Sequence, residues 1–546
     1  MAKRAAAAAF LALVSLAVYA NSLGNAFCYD DHQSVAESEA FTLPLSELLW
    51  AASPTPGLWR PVITLVQVGI RTVAGANPFW FHAVNIAVHA AVVLLLYQLL
   101  LDLLERPRVA FAAALLFAVH PLHTEAVDPA VGLMELLAAG FMLAAWILHE
   151  RGLWVAASAC FLLALGSKES AVVLPALVLF GDIALPRRVN VRPYIGYAAA
   201  LAMYAALHIR GGGIFGLYET PFEYNSLAGL PPLLRAANAI RLQLFMLHLH
   251  FWPWPLSADY SPNAIPVIRD WSVLAGWIAV ALALLAAWTV AARRSRAILL
   301  AGAIYLAGFA VTSNIFFVAG NSIGERWAYF PSIGFCLLLG LGFEWVEARV
   351  PMAAIGALCA IAFALSMLTM IRNTQWKNDW AVVNATVRAY PECGRAQCYL
   401  GTELLKRGDI AGARQHLEKA RAILPNYSPV YAGLASLAFR QGDWPSAQRE
   451  ILAAMRAGDC DPDTATTYAA LLLQSGRFRE ALAMLNYLSR DQPRSSRVFS
   501  NRAVLYFALG RPDLARADAE MALRLNPDNV QARAMSSRIA ATAAPR

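Results

Sequence analysis

Apolar and polar positions divide the chain into two regions. From Met1 to about Ile371, long apolar blocks alternate with short polar loops; from Arg372 onward, apolar residues recur at helical spacing among charged ones. A helix that crosses a bilayer needs about 20 mostly apolar residues. Eleven segments fit that description at least in part: 4–22, 83–104, 109–120, 129–148, 152–166, 170–185, 193–209, 272–292, 297–318, 330–346 and 352–371. Two others are amphipathic. Segment 57–73 (GLWRPVITLVQVGIRTV) suits the membrane interface, and 236–252 reads as an interfacial or re-entrant helix carrying Arg241, His248 and His250. The pattern predicts an all-α protein, with a polytopic membrane domain of eleven spans over 1–372 and a water-soluble helical domain over 373–546.

Within the soluble part, glycines recur at 408, 442, 476 and 510 and alanines at 413, 447, 481 and 515, both with a step of 34. Pro391, Pro425, Pro493 and Pro527 keep the same step, and Pro462 is slightly displaced. A 34-residue period with small residues at close helix contacts is the tetratricopeptide signature. Four repeats are expected over about 394–529, with a half-repeat near 377–390 before them and a capping helix after 530. Such arrays bind extended peptides or partner proteins; a structural spacer is the alternative reading.

Composition changes the picture in three ways. The 546 residues are 59% hydrophobic and only 15% charged, as a membrane domain requires. The net charge of +8 does not indicate nucleic acid, because the arginines cap apolar blocks rather than forming a basic run. Placing Lys3, Arg4, Arg106, Arg108, Arg151, Arg187, Arg188, Arg192, Arg293, Arg294, Arg296 and Arg349 in the cytoplasm satisfies the positive-inside rule at every turn. The C-terminal domain then lies outside, with the segments 22–81, HPLHTEAVD, GSKES, 210–271 and GNSIGERWAYFPS. The seven cysteines form no metal or redox motif. Cys160, Cys336 and Cys359 read as inert core residues; pairing of Cys393 with Cys398 is open and depends on the soluble domain lying in an oxidising compartment.

The outer-face segments hold the candidate chemistry. Asp30 and Asp31 follow the first span in FCYDDHQSV. They are either a helix cap or solvated turn, or a general base for an acceptor hydroxyl. His120, His123 and Glu125 stand at a span end, where ionisable groups mark a site or an interface. Lys168 with Glu169, and Glu325 with Arg326, interrupt apolar surroundings: each pair is either self-neutralising or turned toward a ligand. Arg60, Lys168, Arg326 and the histidines are the donors available to stabilise negative charge on a leaving phosphate.

These strings resemble the transmembrane and tetratricopeptide-repeat protein O-mannosyltransferases, a branch of the C-type glycosyltransferase (GT-C) fold. FCYDD, RPVITL, HAVNIAVH, LLFAVHPLHTEAV, GLMELLA, LGSKES, PWPLSADYS and ERWAYFPSIGFCLLL occur in family order, with repeats last. FEYNS departs from the Asp-Asn-Pro-like string expected in the central loop. The resemblance implies an inverting transferase that moves mannose or another hexose from a polyprenyl or dolichyl phosphate to Ser or Thr hydroxyls of proteins on the non-cytoplasmic face. Asp30, with Asp31 beside it, occupies the base position. Arg60, His120, His123, Glu125, Lys168, Glu169, Glu325 and Arg326 are assigned to donor and substrate binding. Metal stays open: the carboxylates suit Mg²⁺ or Mn²⁺, while the resemblance implies that lipid-monophosphate donors in this fold often need none. The expected location is a bacterial inner membrane with periplasmic repeats, or the endoplasmic reticulum with lumenal repeats in a eukaryote. A lipid or polysaccharide acceptor and an inactive membrane-anchored scaffold are the alternatives.

Overall fold

A computed structural model describes residues 2–36, 44–48, 50, 58–185, 190–211, 220–456, 462–491, 495–527 and 529–543. Arg187, Arg188 and Pro493 lie outside the described residues. Among the described residues every regular element is helical. Two compact units are present, one of 1–36, 45–261 and 265–390, the other chiefly 391–546.

The first unit contains a helix at each of the eleven apolar segments. In chain order these and their companions are α1 (Ala2–Tyr19), α2 (Pro61–Ala74), α3 (Pro78–Leu104), α4 (Pro107–Ala118), α5 (Leu133–Glu150), α6 (Trp154–Ser167), α7 (Leu174–Ala184), α8 (Val191–Arg210), α9 (Pro232–Phe251), α10 (Trp271–Ala292), α11 (Arg296–Phe309), α12 (Ser332–Glu347), α13 (Pro351–Gln375) and α14 (Asp379–Ala389). Proline opens α2, α3, α4, α9 and α13, where a missing N–H costs nothing and its fixed φ already suits a helix. Asn77 and Asp270 add side-chain caps to α3 and α10, accepting from the amides of Phe79 and Ser272.

By length and composition five helices can cross a membrane: Ala2–Ser22, Pro78–Leu104, Ala130–Glu150, Trp271–Ala292 and Pro351–Gln375. A sixth arises if Pro107–Ala118 and Pro121–Val127, bent by 55°, form one span. The other expected spans are helices too short or too polar to qualify alone. The run 297–318, for example, stops being helical at Phe309. There Asn314 takes a left-handed φ of 61°, and its side chain bonds the backbone of Ala319, Asn321 and Ser322, favouring a turn. Helix α10 turns Trp277, Val280, Leu282, Leu284 and Leu285 outward, an apolar surface suited to lipid rather than water. Cys359 likewise lies exposed on α13 rather than in the core, whereas Cys336 is buried.

Two apolar clusters position the loops between the helices. The larger joins α1, α3, α4, α5, α6 and α12. The smaller wraps Leu122, Leu242, Met246, Leu249, Tyr260, Phe309 and Ala328, so α9 packs beneath the loops at 121–127 and 325–328.

In the second unit, helices begin at Gly394, Ser428, Pro462, Ser496 and Val530, again stepping by 34. Gly408, Gly442, Gly476 and Gly510 each make the turn within a helix pair at φ between 70° and 85°. An L side chain there pays about 1 kcal/mol of backbone strain, which is why this position repeats as glycine. Ala413, Ala447, Ala481 and Ala515 are fully buried where the paired helices meet. The expected half-repeat near 377–390 corresponds to α14, which belongs to the first unit.

Candidate active site

The two neighbouring aspartates of the first loop point in opposite directions. Asp31 is fully buried; its Oδ1 accepts from the Val131 amide at 2.8 Å, and its Oδ2 lies 3.5 Å from the Cys28 amide. Burial raises its pKa to about 7 against the lowering effect of those backbone bonds. Asp30 keeps a half-exposed side chain, and its Oδ2 receives Arg326 Nη1 at 3.1 Å. Asp31 therefore builds the loop, and Asp30 is presented by it.

Arg326 is gripped from behind. Glu125 Oε2 accepts from its backbone amide at 3.0 Å, and Glu125 Oε1 lies 3.5 Å from its Nε. Burial alone would lower the guanidinium's pKa, but the Asp30 and Glu125 carboxylates outweigh it and hold the group firmly charged. Its neighbour Glu325 faces the other way, into the interior. Glu325 Oε1 accepts from the Ser257 amide at 2.5 Å and from the Tyr260 hydroxyl at 2.7 Å, and Oε2 lies 3.5 Å from Arg372 Nη2. Burial raises the Glu325 pKa, with Arg372 opposing.

The second charged dipeptide divides in the same fashion. Lys168 Nζ contacts Glu135 Oε1 on α5, both side chains being almost fully buried. Glu169 receives a two-pronged bond from Arg60, Nε at 2.9 Å and Nη2 at 2.6 Å. Arg60 and Lys168 overcome burial and bring the Glu169 pKa down to about 2. Glu135 also lies within electrostatic reach of both Arg326 and Arg60. Asp30, Arg326, Glu135, Lys168, Glu169 and Arg60 thus form one relay of alternating charge. Lys168 and Glu135 line a small pocket with Ser170, Thr312, Trp327 and Phe330.

The structure does not bring His120 and His123 to this relay. Both are buried, with every ring nitrogen engaged: His120 with the Leu122 amide and the His250 carbonyl, His123 with the Phe117 carbonyl and the Ser332 hydroxyl. Among the described residues no three His, Cys, Asp or Glu side chains converge as a metal-ligand group. The relay's carboxylates are instead faced by guanidinium or ammonium groups, a donor set that does not fit Mg²⁺ or Mn²⁺.

Sequence reasoning missed Glu135 and Asp379. Glu135 was legible as a lone carboxylate in the apolar string GLMELLA, which needs a buried partner such as Lys168. Asp379 bonds the Tyr29 amide at 2.9 Å and His32 Nε2 at 2.8 Å, across 350 and 347 residues of sequence; no local signal marks it.

Tetratricopeptide-repeat families match residues 404–471 and 469–530. The C-terminal array is made of tetratricopeptide repeats. Over more of its length the chain resembles proteins named protein O-mannosyl-transferases. One from Caenorhabditis elegans is 27% identical over 440 residues, covering 76% of this chain and 63% of its own. TMTC4 of Homo sapiens is 25% identical, covering 73% and 64%, and TMTC1 of Homo sapiens 27% identical, covering 79% and 57%. This chain therefore spans less than two thirds of the length of these relatives. Among solved structures, that of Pseudomonas aeruginosa pilF is 26% identical over 28% of this chain and 69% of its own, with a TM-score of 0.26, too low to carry an argument about the fold.

Proposed function

We propose that this protein is a membrane glycosyltransferase that moves a hexose, mannose by its likeness to the relatives, from a polyprenyl phosphate to Ser or Thr hydroxyls of proteins. The observation that carries this reading is the half-exposed Asp30 carboxylate paired with Arg326 at one end of a buried relay of alternating charge. In the step proposed, the acceptor oxygen attacks the anomeric carbon while Asp30 takes the hydroxyl proton. The bond from that carbon to the phosphate oxygen breaks on the opposite face, so the configuration inverts, and polyprenyl phosphate leaves with the electron pair. Arg326 and Lys168 flank the place where that negative charge grows, and Arg60 holds Glu169 away from it. No metal enters this step. The repeats deliver the acceptor, and loops and repeats lie on the non-cytoplasmic face, the periplasm in a bacterium.

The test is mass spectrometry of exported and membrane proteins from wild-type cells, a deletion strain, and that strain carrying Asp30→Asn. Loss of a hexose mass from Ser or Thr peptides in the latter two supports the reading. A change confined to a surface glycan or lipid replaces the acceptor class, and no change in any of them favours a scaffold.

A further inference from the structure

The loop that carries Asp30 is tied along its length to the segment joining the last apolar helix to the repeats. Asn21 Nδ2 donates to the Met370 carbonyl at 2.9 Å, and Asn25 Nδ2 to the Asn373 carbonyl at 3.1 Å. Asn373 returns the contact, donating to Val18 O at 2.9 Å and to Asn21 Oδ1 at 2.7 Å. The Ala26 amide donates to Lys377 O at 2.9 Å. The series ends at Asp379, whose Oδ1 takes the Tyr29 amide at 2.9 Å while Oδ2 faces His32 Nε2 at 2.8 Å. Between those two anchor points lie Asp30 and Asp31.

Tyr29 adopts φ of 56°, a left-handed conformation that is strained for a bulky residue and persists only where its surroundings enforce it. That turn is what sends Asp30 outward and Asp31 inward. Asp31 secures one side through Val131. The amide of the strained residue itself is held by Asp379.

We propose that Asp379 is a positioning residue for Asp30. It fixes the left-handed turn at Tyr29 and so sets where the proton-accepting carboxylate stands relative to Arg326. The inference rests on the reading of Asp30 as the base. In the chain, α14 begins at Asp379 and runs to Ala389, just before the repeats.

Two full-length variants separate the contacts. Asp379→Ala removes both; Asp379→Asn keeps an oxygen for the Tyr29 amide. Transfer is followed from polyprenyl-phosphate mannose to a Ser/Thr-rich peptide, with hydrogen exchange of residues 26–32 measured on the same samples. Asp379→Ala is expected to lower kcat by about 10- to 100-fold with donor KM within about 2-fold, as a displaced catalytic group does. It should also speed exchange at Tyr29, and Asp379→Asn should restore most of both. Wild-type kcat and exchange in Asp379→Ala overturn the proposal, as does an equal fall in both variants. Asp30→Asn run in parallel separates the two readings: an active Asp30→Asn removes the base assignment itself, whereas an inactive one beside a normal Asp379→Ala removes only the clamp. Should wild type give no transfer with this probe, unchanged exchange in Asp379→Ala still overturns the clamp, and selective loosening that Asp379→Asn reverses supports it.

Discussion

Arg326 and Asp30 meet at 3.1 Å, although 296 residues separate them in the chain. The arginine is largely buried and the aspartate half-exposed, so the pair joins the protein interior to the surface a substrate would reach. Asp30→Asn retains shape and one acceptor oxygen but not the basic charge. It should reduce transfer by about 10²- to 10⁴-fold with the melting temperature nearly unchanged. Arg326→Lys keeps the charge but loses the planar fork that spans Asp30 and Glu125, and should lower transfer while leaving the fold intact. Steady-state transfer assays and thermal melts in detergent check both.

Lys168 should prove necessary in two separable ways. Lys168→Met strands Glu135 as a buried carboxylate, a loss of about 3–5 kcal/mol when one partner of a buried pair is removed. The double variant Lys168→Met/Glu135→Leu removes that penalty and should regain much of the melting temperature. It should not regain transfer if Lys168 receives the leaving phosphate. A double variant with normal transfer would reduce Lys168 to a structural role.

Asp31 should leave a signature in stability against pH. Its folded-state pKa of about 7 lies above the ordinary value of 3.8, so the native protein binds this proton more tightly than the unfolded chain. The stabilisation is complete below about pH 3.8, declines as pH rises toward 7, and is gone above it. Asp31→Asn cannot ionise and should lack this decline. The melting-temperature difference between wild type and variant, measured from pH 4 to 8, should therefore shift in the variant's favour as pH rises.

Truncations placed either side of the clamp should behave differently. A chain ending at Tyr390 retains the whole first unit, including Asp379. It should still bind donor, with acceptor KM raised if the repeats recruit acceptors. A chain ending at Arg372 loses Asn373, Lys377 and Asp379 with the repeats, and its Asp30 loop should be misplaced as well. Equal donor turnover in the two would show that the connector does not matter to the base loop.

The repeats were legible because each period uses the same small set of residues for the same local reasons: glycine where the turn needs positive φ, alanine where helices touch. The apolar segments were legible as helices for a similar reason, since composition alone marks them. Their lengths were less so. Polar residues such as Asn314 hold non-helical turns within apolar runs through side-chain bonds that hydropathy does not register. The site was legible only as a set of costly charges in unfavourable places. Which charge meets which depended on packing between distant segments, as Asp379 with Tyr29 and Glu325 with Arg372 illustrate. His120 and His123 show the reverse error: residue types suited to chemistry that the fold uses to tie backbone carbonyls and a serine together.

The opposite headings of Lys168 and Glu169, and of Glu325 and Arg326, make the order of each pair matter as much as its membership. Exchanging the two letters in either place would change neither composition, hydropathy nor net charge. Yet glutamate at 168 would confront Glu135, and lysine at 169 would confront Arg60. Arginine at 325 would meet Arg372, and glutamate at 326 would meet Asp30 and Glu125. Every attraction would become a repulsion, least screened by water where the partners are buried, as at Glu135 and Arg372. These dipeptides act as polarised plugs, each fitting its two sockets in only one orientation.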